Sequence, residues 1–167
     1  MKVILLLTFL YCFVGCTKSK IELGLNLRQL ESRVNKSESE YLKEMGYIFS
    51  NYDLNLYDIQ SIRESKFFYF IERTGFFSQE NYIKEVKSRL AEKRWFLVKK
   101  DNYSELYCNN KNQAIGITFP TNKQELDGVH RGYFTYQFFK KASVTLHYTS
   151  GNNSVSCPQK KAARSSV

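Results

Sequence analysis

Histidine and cysteine are scarce in this chain, and this limits the chemistry that it can perform. The 167 residues include only two histidines, His130 and His147, and four cysteines. Neither histidine stands at metal-ligand spacing from a cysteine, and there is no Cys-x-x-Cys pair. The sequence therefore argues against a zinc site and against a redox dithiol, and we expect no metal and no cofactor.

Recognisable enzyme motifs are also missing. There is no Gly-x-Ser-x-Gly elbow, no His-Glu-x-x-His helix and no Gly-rich phosphate or dinucleotide loop. A pair of carboxylates could still act on a glycosidic bond, because the fold assembles such a pair without any fixed sequence spacing. Glu72, Glu105 and Asp127 are the acids to inspect for that role, although we expect each to be an ordinary surface residue. The sequence favours a protein that is not an enzyme.

No apolar run is long enough to cross a bilayer, but a shorter run lies at the start of the chain. After Met1-Lys2, residues 3–14 are apolar apart from Thr8, whereas a spanning helix needs about 20 apolar residues. A short positive start followed by such a stretch is typical of a secretory signal peptide. We therefore predict that residues 1–15 form an export signal.

The end of this signal resembles the lipobox of bacterial lipoproteins. Its four residues are Phe13-Val14-Gly15-Cys16, with Phe13 where that family usually has Leu. The resemblance implies a lipidated Cys16, a tether over residues 16–26, and a membrane anchor of several acyl chains, which hold far better than one. Thr17 is not acidic, and by the same resemblance this favours the outer membrane. The alternative is cleavage by the general signal peptidase and secretion of a soluble protein.

Positive charge is in excess, with 25 Lys and Arg residues, 16 Asp and Glu residues and a net charge of +9. Removal of the signal takes away only Lys2, so the exported domain stays strongly basic. On a membrane surface such a domain could attract anionic lipid, acidic glycan or an acidic partner. Nucleic acid is not an expected partner, because an exported protein rarely meets it. In the helix expected near residues 79–94 the basic side chains flank the apolar stripe, which favours a solvated helix over a docking groove.

Two cysteines remain once the signal is removed and Cys16 carries lipid. Cys108 and Cys157 would then share an oxidising compartment, which favours one disulfide between them. The bond would fix the flexible basic tail expected over residues 150–167 to the domain. A buried free Cys108 with a free thiol in the tail is the alternative.

Periodicity predicts one α+β domain over residues 27–149. Helical spacing indicates one broken helix or two short ones over residues 27–49, with a capping box at Ser37 and Glu40. Residues 51–64 are ambiguous, and we interpret them as a loop with a helical turn. The expected strands are rich in β-formers and are separated by turn residues: 66–73, 95–99, 103–108, 114–119, 133–139 and 143–149. This order predicts an antiparallel sheet of about five or six short strands, with the N-terminal helices and one central helix packed on one face.

The last two expected strands suggest where a partner could bind. Successive side chains of a strand point to opposite faces, and Val144, Leu146 and Tyr148 form a set suited to burial. The opposite set carries hydroxyls, one amide and one imidazole without charge, on residues Thr135, Gln137, Thr145 and His147. We expect this face to be exposed and take it as the candidate binding face. An antiparallel sheet also shows such a face to water without any partner.

Together these patterns predict a membrane-anchored envelope lipoprotein with a non-catalytic domain. Its expected partner is another envelope protein, in an accessory, inhibitory or self-protective role. A module that binds anionic lipid or glycan is the alternative, and an unrecognised hydrolase is a third hypothesis. Aromatic residues make up 16% of the chain, and we expect them to fill the core more than to line a sugar site.

Overall fold

A computed structural model describes residues 23–73, 82–119, 141–151 and 157. It contains an antiparallel sheet and a few short helices, so the predicted α+β class is confirmed. The elements are α1 (Leu27–Glu31), α2 (Lys36–Ile48), β1 (Leu54–Ile62), β2 (Ser65–Glu72), α3, β3 (Phe96–Lys100), β4 (Ser104–Cys108), β5 (Ala114–Thr118) and β6 (Ser143–Thr149). Helix α3 begins as a π turn over Tyr82–Val86 and continues as an α-helix over Lys87–Glu92.

Asparagine side chains cap both N-terminal helices. Asn26 accepts a hydrogen bond from the backbone N–H of Gln29, whose side chain accepts one from the N–H of Asn26. Asn35 caps α2 by accepting from the N–H of Glu38 at 2.9 Å. The capping box predicted at Ser37 is therefore wrong. Asparagine caps a helix as well as serine does, and Asn35 starts the helix earlier along the chain.

In the described part of the chain the sheet has six strands in the order β1-β2-β6-β5-β4-β3, and all neighbours are antiparallel. Strands β1 and β2 form a hairpin, and β3, β4 and β5 follow one another as a meander. Strand β6 comes last in the chain but lies between these two groups, where it pairs with β2 and β5. It is therefore an internal strand of the sheet.

The loop with a helical turn expected over residues 51–64 is wrong, because strand β1 occupies Leu54–Ile62 within this range. Its register with β2 shifts between Leu56 and Asp58. Such a bulge turns the following side chains to the other face, so the alternation breaks within the strand. On the outer side of β1, Gly24 and Leu25 form backbone hydrogen bonds with Leu56. Residues that precede α1 thus cover part of this edge.

One face of the sheet, which we name the core face, belongs to the main hydrophobic cluster. Leu42 and Met45 of α2 and Leu90 of α3 are buried in this cluster. The strand residues buried with them alternate along the strands and include Leu54, Phe68, Phe70, Ile115, Ile117, Val144, Leu146 and Tyr148. The burial predicted for alternate residues of β6 is confirmed for this set. We name the opposite side of the sheet the far face.

Several predicted features lie outside the described residues. They are the export signal, the lipidated Cys16, the strand at residues 133–139, Asp127 and most of the tail. In the described ranges no helix has the length and apolar character needed to cross a bilayer.

Candidate binding surfaces

The face predicted to bind a partner is not exposed where the structure describes it. Thr145 and His147 are buried, as is every other residue of β6. The expected exposure is therefore wrong at these two positions, while Thr135 and Gln137 lie outside the described residues. Alternation assigns side chains to a face, but whether that face is covered depends on parts of the chain that are distant in sequence.

His147 has an unusual environment for an ionisable side chain. Its exposed fraction is 2%, and its ring stacks on Phe67 with centroids 4.4 Å apart and planes 6° apart. Among the described residues neither ring nitrogen has a hydrogen-bond partner. Burial lowers the pKa of the imidazole to about 4, because a charged ring would lose water without gaining a partner. At neutral pH His147 is thus an uncharged, packed ring and not an exposed recognition group.

Cys108 and Cys157 lie at disulfide distance, with their sulfur atoms 2.07 Å apart, as the sequence predicts. They form a second buried cluster with Ala114, against which Val98 and Leu106 pack. Ala114 is the ladder partner of both Cys108 and His147. The disulfide and the imidazole therefore flank one residue on the far face.

Glu105, considered above as a possible catalytic acid, lies in a buried hydrogen-bond cluster. The hydroxyls of Tyr82 and Tyr107 donate to its carboxylate, and the ammonium of Lys100 lies 3.2 Å from it. Burial by itself would raise the pKa of Glu105, but the three donors outweigh it and lower the pKa below its usual value. The pKa of each tyrosine is raised, chiefly by burial and then by the hydrogen bond to the carboxylate.

This cluster lacks the electrostatics of a general acid or base. A catalytic carboxyl works best with a pKa near the working pH, and the pKa of Glu105 moves away from neutrality. Glu72 is also buried, on the core face, so the expectation that these two acids are surface residues is wrong. No group of three or more potential metal ligands occurs in the described ranges. We assign Glu105 a structural role.

Strand β3 forms one edge of the sheet and exposes large apolar side chains. Phe96 is 44% exposed and Leu97 is 42% exposed. Phe96 pairs with Cys108 and lies on the far face, whereas Leu97 pairs with Tyr107 and lies on the core face. No other described strand pairs with the outer side of β3. The edge therefore combines open backbone groups with apolar side chains on both faces.

Lysines follow these apolar side chains along β3. Lys99 is exposed, lies on the far face and has no carboxylate partner among the described residues. Lys100 lies on the core face, beside Glu105. Each face thus presents one apolar side chain and then one ammonium group. We name the side chains of Phe96, Leu97, Lys99 and Lys100, with the outer backbone of the strand, the β3 edge.

A polar cleft of about 720 Å³ lies between α2, the β4–β5 turn and the end of β6. Glu40 and Glu44 of α2 and Lys111 of the turn line it, together with amide side chains of the turn. Tyr41 and Tyr148 also line it, and their ring centroids are 5.7 Å apart. Carboxylates and amides beside aromatic edges suit a hydroxyl-rich ligand such as a saccharide.

Comparisons with known proteins leave the function open. No protein-family model matches the chain, and neither the curated proteins nor the solved structures contain a significant match. The function is therefore inferred from the surfaces described above.

Proposed function

We propose that the protein is an exported, lipid-anchored component of a bacterial envelope, with a non-catalytic domain that binds another protein. The disulfide between Cys108 and Cys157 supports export, since such bonds persist outside the reducing cytoplasm. Anchoring rests on the lipobox resemblance at Cys16, and the outer membrane on Thr17. The role is that of an accessory, an inhibitor or a self-protection factor.

The observation that carries protein binding is the β3 edge. Adjacent exposed Phe96 and Leu97 offer apolar contact area, and the open backbone offers hydrogen-bond partners to another chain. Gly24 and Leu25, which follow the proposed anchor in the sequence, pair with β1 at the other edge, roughly 24 Å away for strands spaced about 4.8 Å apart. We also propose that the helices pack on the core face alone, which leaves the β3 edge accessible.

Affinity capture of the intact protein from its own membranes tests this function. The wild-type protein should enrich one envelope protein in near-equal amount, and a Phe96→Ser/Leu97→Ser variant should lose it. Ile62→Ser is the matched control, because Ile62 is 51% exposed on β1 at the opposite edge. Equal capture by all three proteins would place the partner site elsewhere. If no envelope protein is enriched by the wild type, protein binding is wrong.

The polar cleft supports glycan binding as a second candidate function. Soluble envelope glycan fragments should then bind the wild-type protein in calorimetric titration, and Glu40→Gln should weaken them. The same variant should leave capture of a protein at the β3 edge unchanged, because Glu40 lies on α2. Fragments that bind wild type and variant equally would rule out the cleft as their site.

A further inference from the structure

Among the described residues, the chain covers one edge of the sheet and leaves the other edge unpaired. The N–H of Gly24 donates to the carbonyl of Leu56 at 2.7 Å, and the N–H of Leu56 donates to the carbonyl of Leu25 at 2.8 Å. An antiparallel bridge between Asn26 and Asn55 continues this pairing. A short extended segment has thus been added to β1. Among the described residues, β3 has no equivalent cover.

Along the β3 edge, an apolar side chain is followed by a lysine on each face of the sheet. On the far face Phe96 is followed by Lys99, and on the core face Leu97 is followed by Lys100. Between them, the register shift leaves Val98 in a bulge, where it packs against the disulfide cluster. A strand added here would therefore meet apolar groups at one end and ammonium groups at the other.

The charged side chains near the β3 edge determine whether an acidic or a basic partner would bind there. Arg94 is exposed just before the strand, and the ammonium of its neighbour Lys93 lies 3.7 Å from the carboxylate of Glu92. The carboxylate of Glu105 is buried and pairs with the ammonium of Lys100, so Lys99 and Arg94 are the edge cations that have no carboxylate partner among the described residues. Positive potential on the edge favours an acidic partner. Anionic lipid would meet the same potential, but it carries no peptide groups that could pair with the open backbone.

We propose that the β3 edge binds an extended acidic segment of a partner protein, which adds to the sheet as a further antiparallel strand. This inference rests on the proposed protein-binding function and specifies the chemistry of the partner. In the antiparallel register that β4 already uses, two acidic residues lie opposite Lys100 and Lys99, and the next two residues, which are apolar, lie opposite Leu97 and Phe96. No spacer separates the two pairs, because the bulge leaves Val98 without a counterpart on the facing strand. Backbone hydrogen bonds supply affinity, and the side chains set the register.

A labelled peptide with this order of side chains tests the register. The probe is a capped Thr-Glu-Glu-Val-Val-Thr, titrated against the full-length protein in detergent and followed by fluorescence anisotropy. It should bind saturably, and its reversed sequence should bind about fivefold more weakly or worse, since reversal places valines opposite ammonium groups. Replacing both glutamates by glutamine should cost about fivefold at low salt, with a smaller cost at high salt.

Backbone methylation separates strand addition from contact through side chains alone. Alternate N–H groups of an added strand point toward β3, and the others point away. Two forms of the probe, methylated on the nitrogens of either the odd or the even residues, should therefore differ. One should lose affinity by about tenfold or more, and the other should retain it. Equal affinity of the two forms would overturn strand addition.

Charge exchange on the protein completes the test. Lys99→Glu should weaken the acidic probe and strengthen a probe that carries lysines in place of its glutamates. Lys43→Glu, an equal change on the exposed side of α2, should alter neither. Tighter binding of the reversed probe, or no saturable binding of the forward probe, would overturn the inference, and the lysines and the bulge would then only protect the edge from association. If capture of an envelope protein still depends on Phe96 and Leu97 in that case, protein binding stands and strand addition alone fails.

Discussion

Changing His147 to Phe should remove much of the acid sensitivity of this fold. The pKa of the buried imidazole is lowered from 6.5 to about 4 by the loss of its hydration. The neutral imidazole makes its full contribution to the free energy of unfolding when the pH is above 6.5, the pKa of the ring in the unfolded chain. This contribution is lost as the pH falls toward 4. At about 1.4 kcal/mol for each pKa unit, the total loss approaches roughly 3 kcal/mol, most of it above pH 4.5.

Urea unfolding between pH 7 and pH 4.5 measures this effect, with the fluorescence of the single tryptophan, Trp95, as the signal. The wild-type protein should lose about 2.5 kcal/mol more than the His147→Phe variant over this interval. The variant keeps an aromatic ring against Phe67, so its unfolding should stay cooperative at neutral pH. Equal losses in the two proteins would refute the assignment of a neutral, desolvated imidazole.

Three further predictions concern the anchor, the disulfide and the buried acid. Cys16→Ser should leave an unprocessed precursor that incorporates no labelled fatty acid, and a soluble, unlipidated wild-type protein would contradict the anchor. Replacing Cys108 and Cys157 by Ala should lower the free energy of unfolding by about 4 kcal/mol, because the bridge has a sequence separation of 49. Alkylation of both thiols in unreduced, denatured wild-type protein would show that the bond does not exist. Glu105→Gln should lower the free energy of unfolding by about 1.5–3 kcal/mol, measured by thermal unfolding. The exposed control Glu92→Gln should lower it by less than about 0.5 kcal/mol, and equal losses in the two variants would show that Glu105 has no special structural role.

The strands that the sequence predicts well are those whose side chains alternate without interruption. In β2 and β6, dense β-formers end at turn residues, and both strands were expected within one residue of their observed bounds. In β1 the shift between Leu56 and Asp58 breaks the alternation, and asparagine and aspartate within the strand weaken its β-propensity. Local pattern therefore fails where the backbone leaves the regular pleat.

The surfaces were harder to predict, because exposure is set by strand order. The pairing of Cys108 with Cys157 is predictable, because only these two cysteines remain once the predicted signal and the proposed lipid site are set aside. Burial of His147 depends on the position of β6 inside the sheet, and exposure of Phe96 depends on the position of β3 at its edge. Both follow from pairing between residues that are distant along the chain. The expectation that aromatic residues fill the core consequently fails at Phe96.

The position of β6 has a consequence for how the protein is made. If the protein is exported as proposed, a chain that crosses the membrane amino-terminus first delivers the β1–β2 hairpin and the β3–β5 meander before the strand that joins them. Until residues 143–149 emerge, each piece has an uncapped apolar surface and an open edge, which invites association with other chains. Because β6 pairs with residues of β2 far back in the sequence, closure is a late and slow event. We expect the newly exported chain to remain protease-sensitive until this strand is inserted, and to need protection by a holding chaperone during that interval.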